Sequence, residues 1–316
     1  MSAKEVAPGV FHVPLRIANV YFVGDSGGEW ALVDAGLPGE GHKIRAAAES
    51  IYGRGSAPKA IFLTHGHPDH AGSALELARY WRVPVLAHPL ELPYLGGESQ
   101  YPPADPTVGG VLGLLARFSK PGAPDVTPAV QALPSETMGL PGAGWKWVHT
   151  PGHSPGHVAF FRRSDGTLLA GDAFTTVNLN SFFASATGLP RVCGPPATAT
   201  YDWTAAGESV SRLASLQPLT LACGHGRPMS GGEAVRQLAE LAVNFHKPRY
   251  GRYVQSPAIV GASGVVSLPP KPRDPLPGTA LGLGIVGAAG ALLALATVRR
   301  RSRNRTASRG NTPLQV

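Results

Sequence analysis

Residues 59–72 read KAIFLTHGHPDHAG and hold the densest group of histidines in the chain. An apolar run ends at His65, and three histidines and one aspartate then fall within the six positions from His65 to His70. His65 and His67 lie two residues apart at the end of a predicted strand, where an extended backbone points alternate side chains to the same side. Asp69 and His70 follow at the start of a predicted helix. Four polar groups therefore converge from one strand-to-helix turn.

Imidazole and carboxylate groups without a thiolate are a ligand set that suits zinc, iron or manganese. The alternative is a histidine-rich surface turn, which would leave many titratable rings unpaired beside a buried strand. That arrangement is costly. The cluster therefore predicts a metal site, which other parts of the chain must complete.

Three further pieces supply polar residues at predicted strand ends: His153 in TPGHSPGH, Asp172 in LLAGDA and His225 in ACGHGRP. In each piece an apolar strand leads into a glycine-rich turn, where the backbone approaches closely and the side chain faces a shared edge. Alone, each residue is more typical of a hydrogen-bonded turn than of a metal site. Together with THGHPDH, and in this order, they predict one common site.

These motifs resemble those of the metallo-β-lactamase-fold hydrolase superfamily, in particular its glyoxalase II and lactonase-like branch. The resemblance covers about residues 8–246 and rests on the THxHxDH, GHxPGH, GD and GHG pieces. It implies an α+β fold, an αββα four-layer sandwich with a site for two divalent metal ions at one sheet edge. Zn²⁺ is the expected metal, with Fe or Mn as alternatives.

The resemblance also implies the ligands. His65, His67 and His153 would bind one metal ion, Asp69, His70 and His225 would bind the other, and Asp172 would bridge the two.

Two further residues match positions near the site. Asp34 in LVDAG would orient a ligand by a hydrogen bond, or is a plain turn aspartate. His157, four residues after His153, would support the site or touch substrate, or makes only a structural hydrogen bond.

A binuclear metal-dependent hydrolase is the function that this ligand set implies. A metal-bridging hydroxide, available at neutral pH, would attack an ester, thioester, lactone or amide. Asp69 or Asp172 would act as the catalytic residue that relays a proton. The sequence shows no GxSxG motif, and this chemistry requires no protein nucleophile.

Three alternatives remain. A mononuclear iron enzyme like persulfide dioxygenase uses a subset of these ligands and oxidises its substrate. A ribonuclease Z-like phosphodiesterase is less favoured, because an enzyme that binds nucleic acid needs basic side chains near its site. Much of the net charge of +8 comes from six arginines of residues 299–316. Residues 1–270 are nearly neutral, with 20 basic and 19 acidic side chains. No nucleic-acid partner is therefore expected. A module that only binds is the third, and the intact ligand set argues against it.

The chain is expected to divide into four parts. Residues 1–250 form the hydrolase domain, in which residues 91–144 are a Pro/Gly-rich insert that would bind a neutral or acyl-bearing small molecule. Residues 251–277 form a Pro-rich linker. Residues 278–298 are 21 residues without a charge, about 31 Å as a helix, and predict a transmembrane-type helix. Residues 299–316 form a basic tail.

The expected location is the membrane, through the single C-terminal helix. The amino terminus lacks the features of a secretory signal, which places the catalytic domain in the cytoplasm. The arginines after residue 298 favour the opposite orientation, and LPGTA at 276–280 resembles a sortase-type sorting signal, so the sidedness stays open. Cys193 and Cys223 are interpreted as small core residues. The oligomeric state is undetermined.

Overall fold

The amino-terminal strands form a mainly antiparallel and then parallel sheet. The computed structural model describes residues 3–24, 28–117, 123–134, 140–142, 144–181, 184, 187 and 189–274. Within these residues the first sheet has seven strands in chain order: β1 (Lys4–Ala7), β2 (Val10–Pro14), β3 (Asn19–Gly24), β4 (Trp30–Val33), β5 (Ile61–Phe62), β6 (Val85–Ala87) and β7 (Val130–Ala132). Pairs from β1 to β4 are antiparallel, and pairs from β4 to β7 are parallel. The first four strands thus form an antiparallel meander.

The second sheet comes from the later half of the chain. Its five strands in the described ranges are β8 (Trp145–His149), β9 (Val158–Arg162), β10 (Thr167–Gly171), β11 (Thr220–Cys223) and β12 (Met229–Ser230), ordered β12-β11-β10-β9-β8. β10 and β11 pair in parallel, and the other neighbours are antiparallel. A separate hairpin joins β13 (Ile259–Gly261) to β14 (Gly264–Ser267).

Helices connect and cover these strands. The described α-helices are α1 (Gly41–Tyr52), α2 (Pro68–Ala71), α3 (Ala74–Trp81), α4 (Leu92–Leu95), α5 (Gly110–Ala116), α6 (Trp203–Ser215) and α7 (Gly232–Val243). Helix α6 begins after Asp202, whose carboxylate accepts hydrogen bonds of 3.0 Å from the backbone N–H groups of Thr204 and Ala205. Such a cap satisfies amide groups that the first turn leaves unpaired.

Strand β3 is buried on both faces, because its side chains alternate between two cores. On one face Phe22 shares a core with Ile44 of α1 and Leu77 of α3. On the other face Tyr21 shares a core with Phe160 of the second sheet. The first sheet therefore lies between a helical layer and the second sheet.

The outer face of the second sheet is covered in the same way. Leu168 of β10 and Leu221 of β11 share a core with Leu213 of α6 and Leu238 of α7. The layers thus follow the order helix, sheet, sheet, helix. This arrangement buries two apolar sheet faces against each other and covers each outer face with helices.

The predicted substrate insert, residues 91–144, contains regular structure in its described part. Helices α4 and α5 fall within it, and β7 extends the first sheet by pairing with β6. Leu95 of α4 belongs to the same core as the first helical layer. The beginning of the insert is therefore built into the domain.

Part of the predicted linker, residues 251–277, is also folded. Tyr253 is buried and donates a hydrogen bond of 2.8 Å from its hydroxyl to the Pro103 carbonyl. In the β13–β14 hairpin the Val265 N–H donates to Ser99 Oγ at 3.1 Å. The chain divides into two units, Met1–Pro272 and Arg273–Val316, and both of these hydrogen bonds lie within the first.

The predicted transmembrane-type helix and the membrane location that depended on it are corrected. None of the helices in the described ranges combines the length and the apolar character that a membrane crossing requires. The longest, α6, has 13 residues, about 20 Å against roughly 30 Å of hydrocarbon. Residues 278–298 and the basic tail lie outside the described residues. The prediction rested on the absence of charge in residues 278–298, although five glycines and six alanines make this segment weakly apolar.

Candidate metal centre

Strand ends from both sheets deliver polar side chains to one edge of the sandwich. Asp34 directly follows β4. His65 lies three residues after β5, the strand that pairs in parallel with β4. Asp172 directly follows β10, and His225 lies two residues after β11, which is again a parallel neighbour. The turn between β8 and β9 adds His153. Because parallel neighbours end at the same sheet edge, residues distant in sequence meet there.

The turn after His65 continues into the short helix α2. Pro68 occupies its first turn, where its missing N–H costs nothing. The backbone N–H groups of His70 and Ala71 donate to the His67 carbonyl at 2.9 Å. This tight turn places the side chains of His67, Asp69 and His70 beside the strand ends.

The structure brings together all seven residues that the sequence predicted as ligands. Two groups contain ligand atoms that lie within 4.8 Å of one another and match the predicted sets, one formed by His65, His67 and His153 and the other by Asp69, His70 and His225. A third group that meets the same distance, His65, His70 and Asp172, overlaps both. Within the first group, His67 Nδ1 lies 2.9 Å from His153 Nε2.

Asp172 lies between the two groups. Its Oδ2 atom is 3.5 Å from His153 Nε2 of the first group. The same atom is 3.5 Å from His70 Nε2 and 3.1 Å from His225 Nε2 of the second. One buried carboxylate oxygen therefore contacts imidazoles of both groups.

Several buried polar atoms at this point have no hydrogen-bond partner. They include His65 Nε2, His70 Nε2 and Asp172 Oδ1. An unpaired buried nitrogen or oxygen is rare in folded proteins because it has lost its water without gaining a substitute. The convergence of such atoms, all nitrogen or oxygen, fits divalent metal ions.

Asp34 supports two of these imidazoles from behind. Its carboxylate accepts a hydrogen bond from His70 Nδ1 at 2.8 Å and others from the Thr64 backbone N–H and hydroxyl. Since that hydroxyl donates to Asp34, its oxygen accepts from His65 Nδ1 at 3.0 Å. Nδ1 of both rings is thereby engaged in a hydrogen bond, which leaves Nε2 of each ring facing the centre. The Asp34 backbone has φ 63°, a region that aspartate tolerates better than most residues.

His225 is oriented by the backbone of the first sheet. Its Nδ1 donates to the Ile17 carbonyl at 2.9 Å, which leaves Nε2 facing Asp172. The Asn19 side-chain amide donates to the carbonyl of Cys223 and to that of Gly226, at 2.9 and 2.7 Å, and so braces the loop that carries His225. No sequence motif marks Asn19 as part of the site.

His157 is completely buried and makes two hydrogen bonds. Its Nε2 accepts from the Asp172 backbone N–H at 2.9 Å, and its Nδ1 donates to the Thr150 hydroxyl at 2.7 Å. Burial lowers the pKa of His157 to about 3, which fits a neutral ring that accepts through Nε2. Of the roles considered from the sequence, these contacts match structural support of the site.

The two groups differ in their charge when no cation is bound. Burial lowers the pKa of His67 to about 4, and burial with neighbouring imidazoles also lowers the pKa of His65. Burial also opposes charge on His225, but Asp172 and Asp69 outweigh it and raise its pKa to about 10. Burial opposes charge on His70 as well, but Asp172, Asp69 and Asp34 outweigh it and raise its pKa. The first group is therefore neutral at pH 7, whereas His70 and His225 of the second group hold protons.

A cleft of about 340 Å³ has none of the seven candidate ligands in its lining but is connected to the His225 loop through Thr175. Thr175 lines it, and the next residue, Thr176, donates its backbone N–H to the His225 carbonyl at 3.1 Å. Trp203 and several prolines contribute apolar walls, Lys247 adds a cation, and Val108 comes from the insert. The insert thus helps to form a cleft of small-molecule size.

Comparisons with known proteins agree with this architecture. The profile of the metallo-beta-lactamase superfamily matches residues 13–225. Probable metallo-hydrolase YflN of Bacillus subtilis (strain 168) is 39% identical over 241 residues, 75% of this chain and 91% of the relative. A hydroxyacylglutathione hydrolase of Xanthomonas euvesicatoria pv. vesicatoria (strain 85-10) is 28% identical over 203 residues, 62% and 59% of the two chains. The crystal structure of BLEG-1 B3 metallo-beta-lactamase has a TM-score of 0.51 and 24% identity, over 75% of this chain and 97% of that one.

The chain therefore belongs to the metallo-beta-lactamase superfamily. It is a metal-dependent hydrolase with a candidate histidine and aspartate metal site. The predicted superfamily and the predicted enzyme class are confirmed. The glyoxalase II and lactonase-like branch stays a prediction.

Proposed function

We propose that the centre binds two divalent metal ions, with Zn²⁺ as the preferred metal. The protein then hydrolyses a small acyl substrate: an ester, thioester, lactone or amide. The ligands of one ion are His65, His67 and His153, those of the other are Asp69, His70 and His225, and Asp172 is shared. The observation that carries the proposal is the position of Asp172 Oδ2, within 3.1–3.5 Å of imidazoles from both groups. Members of this superfamily typically bind two metal ions.

Bound cations of this kind polarise a substrate oxygen and lower the pKa of water, which makes a nucleophile available at neutral pH. The protein supplies position and proton transfer. Asp172, with 2% of its side chain exposed, keeps both imidazole groups at a fixed separation. Asp69, with 22% exposed, meets solvent more than any other carboxylate of the centre.

Asp69 is the residue that we assign to proton transfer. Burial opposes its ionisation, but His70 and His225 outweigh this and lower its pKa, so it is a carboxylate at neutral pH. An ionised carboxylate that reaches solvent accepts a proton from the attacking water and passes it to the leaving group. Asp172 is too enclosed to exchange that proton with solvent.

The substrate class is proposed from the cleft and from one relative. The mixed apolar and cationic walls of the 340 Å³ cleft suit a neutral or singly charged organic molecule. The hydroxyacylglutathione hydrolase relative acts, by its name, on an acylated glutathione. Only the acyl chemistry is transferred, since the match covers 59% of that relative.

The test is hydrolysis by metal-free protein reloaded with Zn²⁺, using a lactone, a thioester, a β-lactam and a phosphodiester. We expect Zn²⁺-dependent turnover of at least one acyl substrate and no turnover of the phosphodiester. Asp172→Asn should abolish turnover, and Asp165→Asn, which alters a carboxylate paired with Arg162, should not. Turnover of the phosphodiester alone, or one iron per chain with oxygen consumption on glutathione persulfide, would contradict the proposal.

A further inference from the structure

Glu91, at the start of the insert, is a completely buried carboxylate outside the proposed ligand set. Its Oε2 atom accepts hydrogen bonds from the Gly66 backbone N–H at 2.9 Å and from the Tyr101 hydroxyl. Its Oε1 atom accepts from the Ser154 hydroxyl at 2.8 Å and from the Gly156 backbone N–H at 2.6 Å. Four donors therefore satisfy one carboxylate.

These donors belong to two separate loops of the metal centre. Gly66 lies between His65 and His67, and Ser154 directly follows His153. Each oxygen of Glu91 is thus bonded to a different loop, and the two loops together carry the complete first ligand group. A buried carboxylate is costly unless its hydrogen bonds are satisfied, so the contact requires both loops in place.

The glycines of the two loops independently show how closely the insert packs. A Cβ atom on Gly66 would lie 2.5 Å from the Tyr101 hydroxyl oxygen and 2.7 Å from Leu95 Cδ2. A Cβ atom on Gly156 would lie 2.8 Å from Glu91 Cγ and 2.9 Å from Glu91 N. Both positions therefore need glycine for close approach rather than for an unusual backbone angle.

Tyr101 adds a second link from the insert to the centre. Its hydroxyl oxygen accepts a hydrogen bond from the Gly66 backbone N–H at 3.1 Å while it donates to Glu91. Its ring lies 4.6 Å from the His67 ring, at an interplanar angle of 62°. On its other side it stacks on Tyr94 at 4.2 Å. The Tyr101 ring therefore lies between Tyr94 of the insert and the proposed ligand His67.

We propose that Glu91, with Tyr101, is a positioning residue that fixes the distance between the His65–His67 turn and the His153 loop. It thereby sets the affinity of the first ligand group for its metal ion. The second group has no described hydrogen bond to Glu91 or Tyr101, because the side chains of His70 and His225 bond to Asp34 and to the Ile17 carbonyl. We therefore expect a smaller effect there than at the first group. This inference rests on the ligand assignment of the proposed function.

The test is a titration of the metal-free full-length protein with Co²⁺, followed by its visible absorption. Glu91→Gln keeps the shape of the side chain but replaces one carboxylate oxygen by an amide NH₂ group. That group faces hydrogen-bond donors of one loop, so this loop loses its acceptor on residue 91. We expect one of two binding steps to weaken about 10- to 100-fold. His67→Ala and His225→Ala identify the spectrum of each step, and the weakened step should be the one that His67→Ala removes.

Asp105→Asn is the matched control. Asp105 is also a buried carboxylate of the insert and accepts hydrogen bonds from the backbone N–H groups of Thr107 and Arg252, away from the metal loops. Its substitution should leave both Co²⁺ steps at wild-type affinity. The melting temperature of each metal-free variant shows whether a change in stability accompanies a change in binding.

Tyr101→Phe is the second variant, and it carries the test if Glu91→Gln does not fold. It removes one bond to Glu91 and one to Gly66 and keeps the ring on His67, so it should weaken the same step. Unchanged affinity in the folded variants would overturn the inference, as would equal weakening of both steps. If the wild-type protein binds no Co²⁺, the ligand assignment of the proposed function fails instead.

Discussion

Asp34 connects two proposed ligands that belong to different metal ions. It bonds His70 directly and His65 through the Thr64 hydroxyl. Asp34→Asn keeps the size and tolerates the left-handed backbone, but the amide offers only one acceptor oxygen. We expect a loss of about 10- to 100-fold in metal affinity, measured by competition with a chelating dye.

The control for this prediction is Asp202→Asn. The Asp202 side chain caps α6 and has no described contact with the centre. The backbone bond from the Asp202 N–H to the Gly152 carbonyl is kept in the variant, so the substitution should leave metal affinity unchanged. Equal affinities for Asp34→Asn and the wild type would show that the Asp34 bonds do not act on the metal ions.

The pKa values of the imidazoles predict a pH dependence that differs between the two groups. His225, with a pKa raised to about 10, is protonated at neutral pH, so a cation must displace that proton. Binding at the second group should therefore weaken as the pH falls from 8 to 6, by about tenfold per unit for each displaced proton. His67, with a pKa lowered to about 4, loses no proton at this pH.

Calorimetric Zn²⁺ titrations at pH 7, in two buffers with different ionisation enthalpies, count the released protons. We expect proton release in the step that His225→Ala removes and none from the imidazoles of the first group. Proton release confined to the step that His67→Ala removes would reverse the assignment.

At the scale of single residues, the sequence predicted the candidate ligands but not the atoms that hold them. The ligands fall in short motifs at strand ends, and the resemblance implies which of them belong to which metal ion. Asn19 and Glu91 instead bond backbone groups of distant loops, at Cys223 and at Gly66 for example. Such bonds depend on which loops meet in the fold, and no local pattern records them.

At the scale of elements, the apolar runs predicted the strands that lie between two cores. β3 and β4 are continuous apolar runs because both of their faces are buried. The insert was harder to predict: α4 and β7 have four and three residues, too few to show a periodicity. Their structure comes from packing on the domain.

Helix α3 tests the packing of the outer layer. Leu77 is 0% exposed and lies in the core between α1, α3 and the first sheet. Leu77→Ala should lower the free energy of unfolding by about 2–5 kcal/mol, because the cavity is only partly refilled. Urea unfolding measures the change.

Val243→Ala at the end of α7 is the matched control, since Val243 is 83% exposed. It should change the free energy of unfolding by less than about 0.5 kcal/mol. A loss of similar size in both variants would contradict the burial that the structure gives to Leu77.

At the scale of the whole molecule, the resemblance implied two packed sheets covered by helices. Strand runs followed by helices, which occur twice along the chain, agree with that architecture. The extent of the folded part was harder to predict, because proline-rich sequence was interpreted as linker. Tyr253 and the hairpin at β13 and β14 instead pack on the domain.

The carboxyl-terminal boundary can be tested by truncation. A chain that ends at residue 250 loses the buried Tyr253 and the bond from Val265 to Ser99, whereas one that ends at residue 272 keeps both. We expect the shorter chain to melt roughly 5–10 °C lower by differential scanning calorimetry, because it loses apolar burial. Equal melting temperatures would show that residues 251–272 add no stability.

The metal content of the purified chain tests the central claim most directly. Native mass spectrometry of the protein loaded with Zn²⁺ should show two ions per chain in the wild type and one in each of His67→Ala and His225→Ala. Removal of both ions should also lower the melting temperature, since bound ligands stabilise the folded state. A wild-type chain without metal, or two ions retained in both variants, would contradict the claim that these side chains bind a pair of cations.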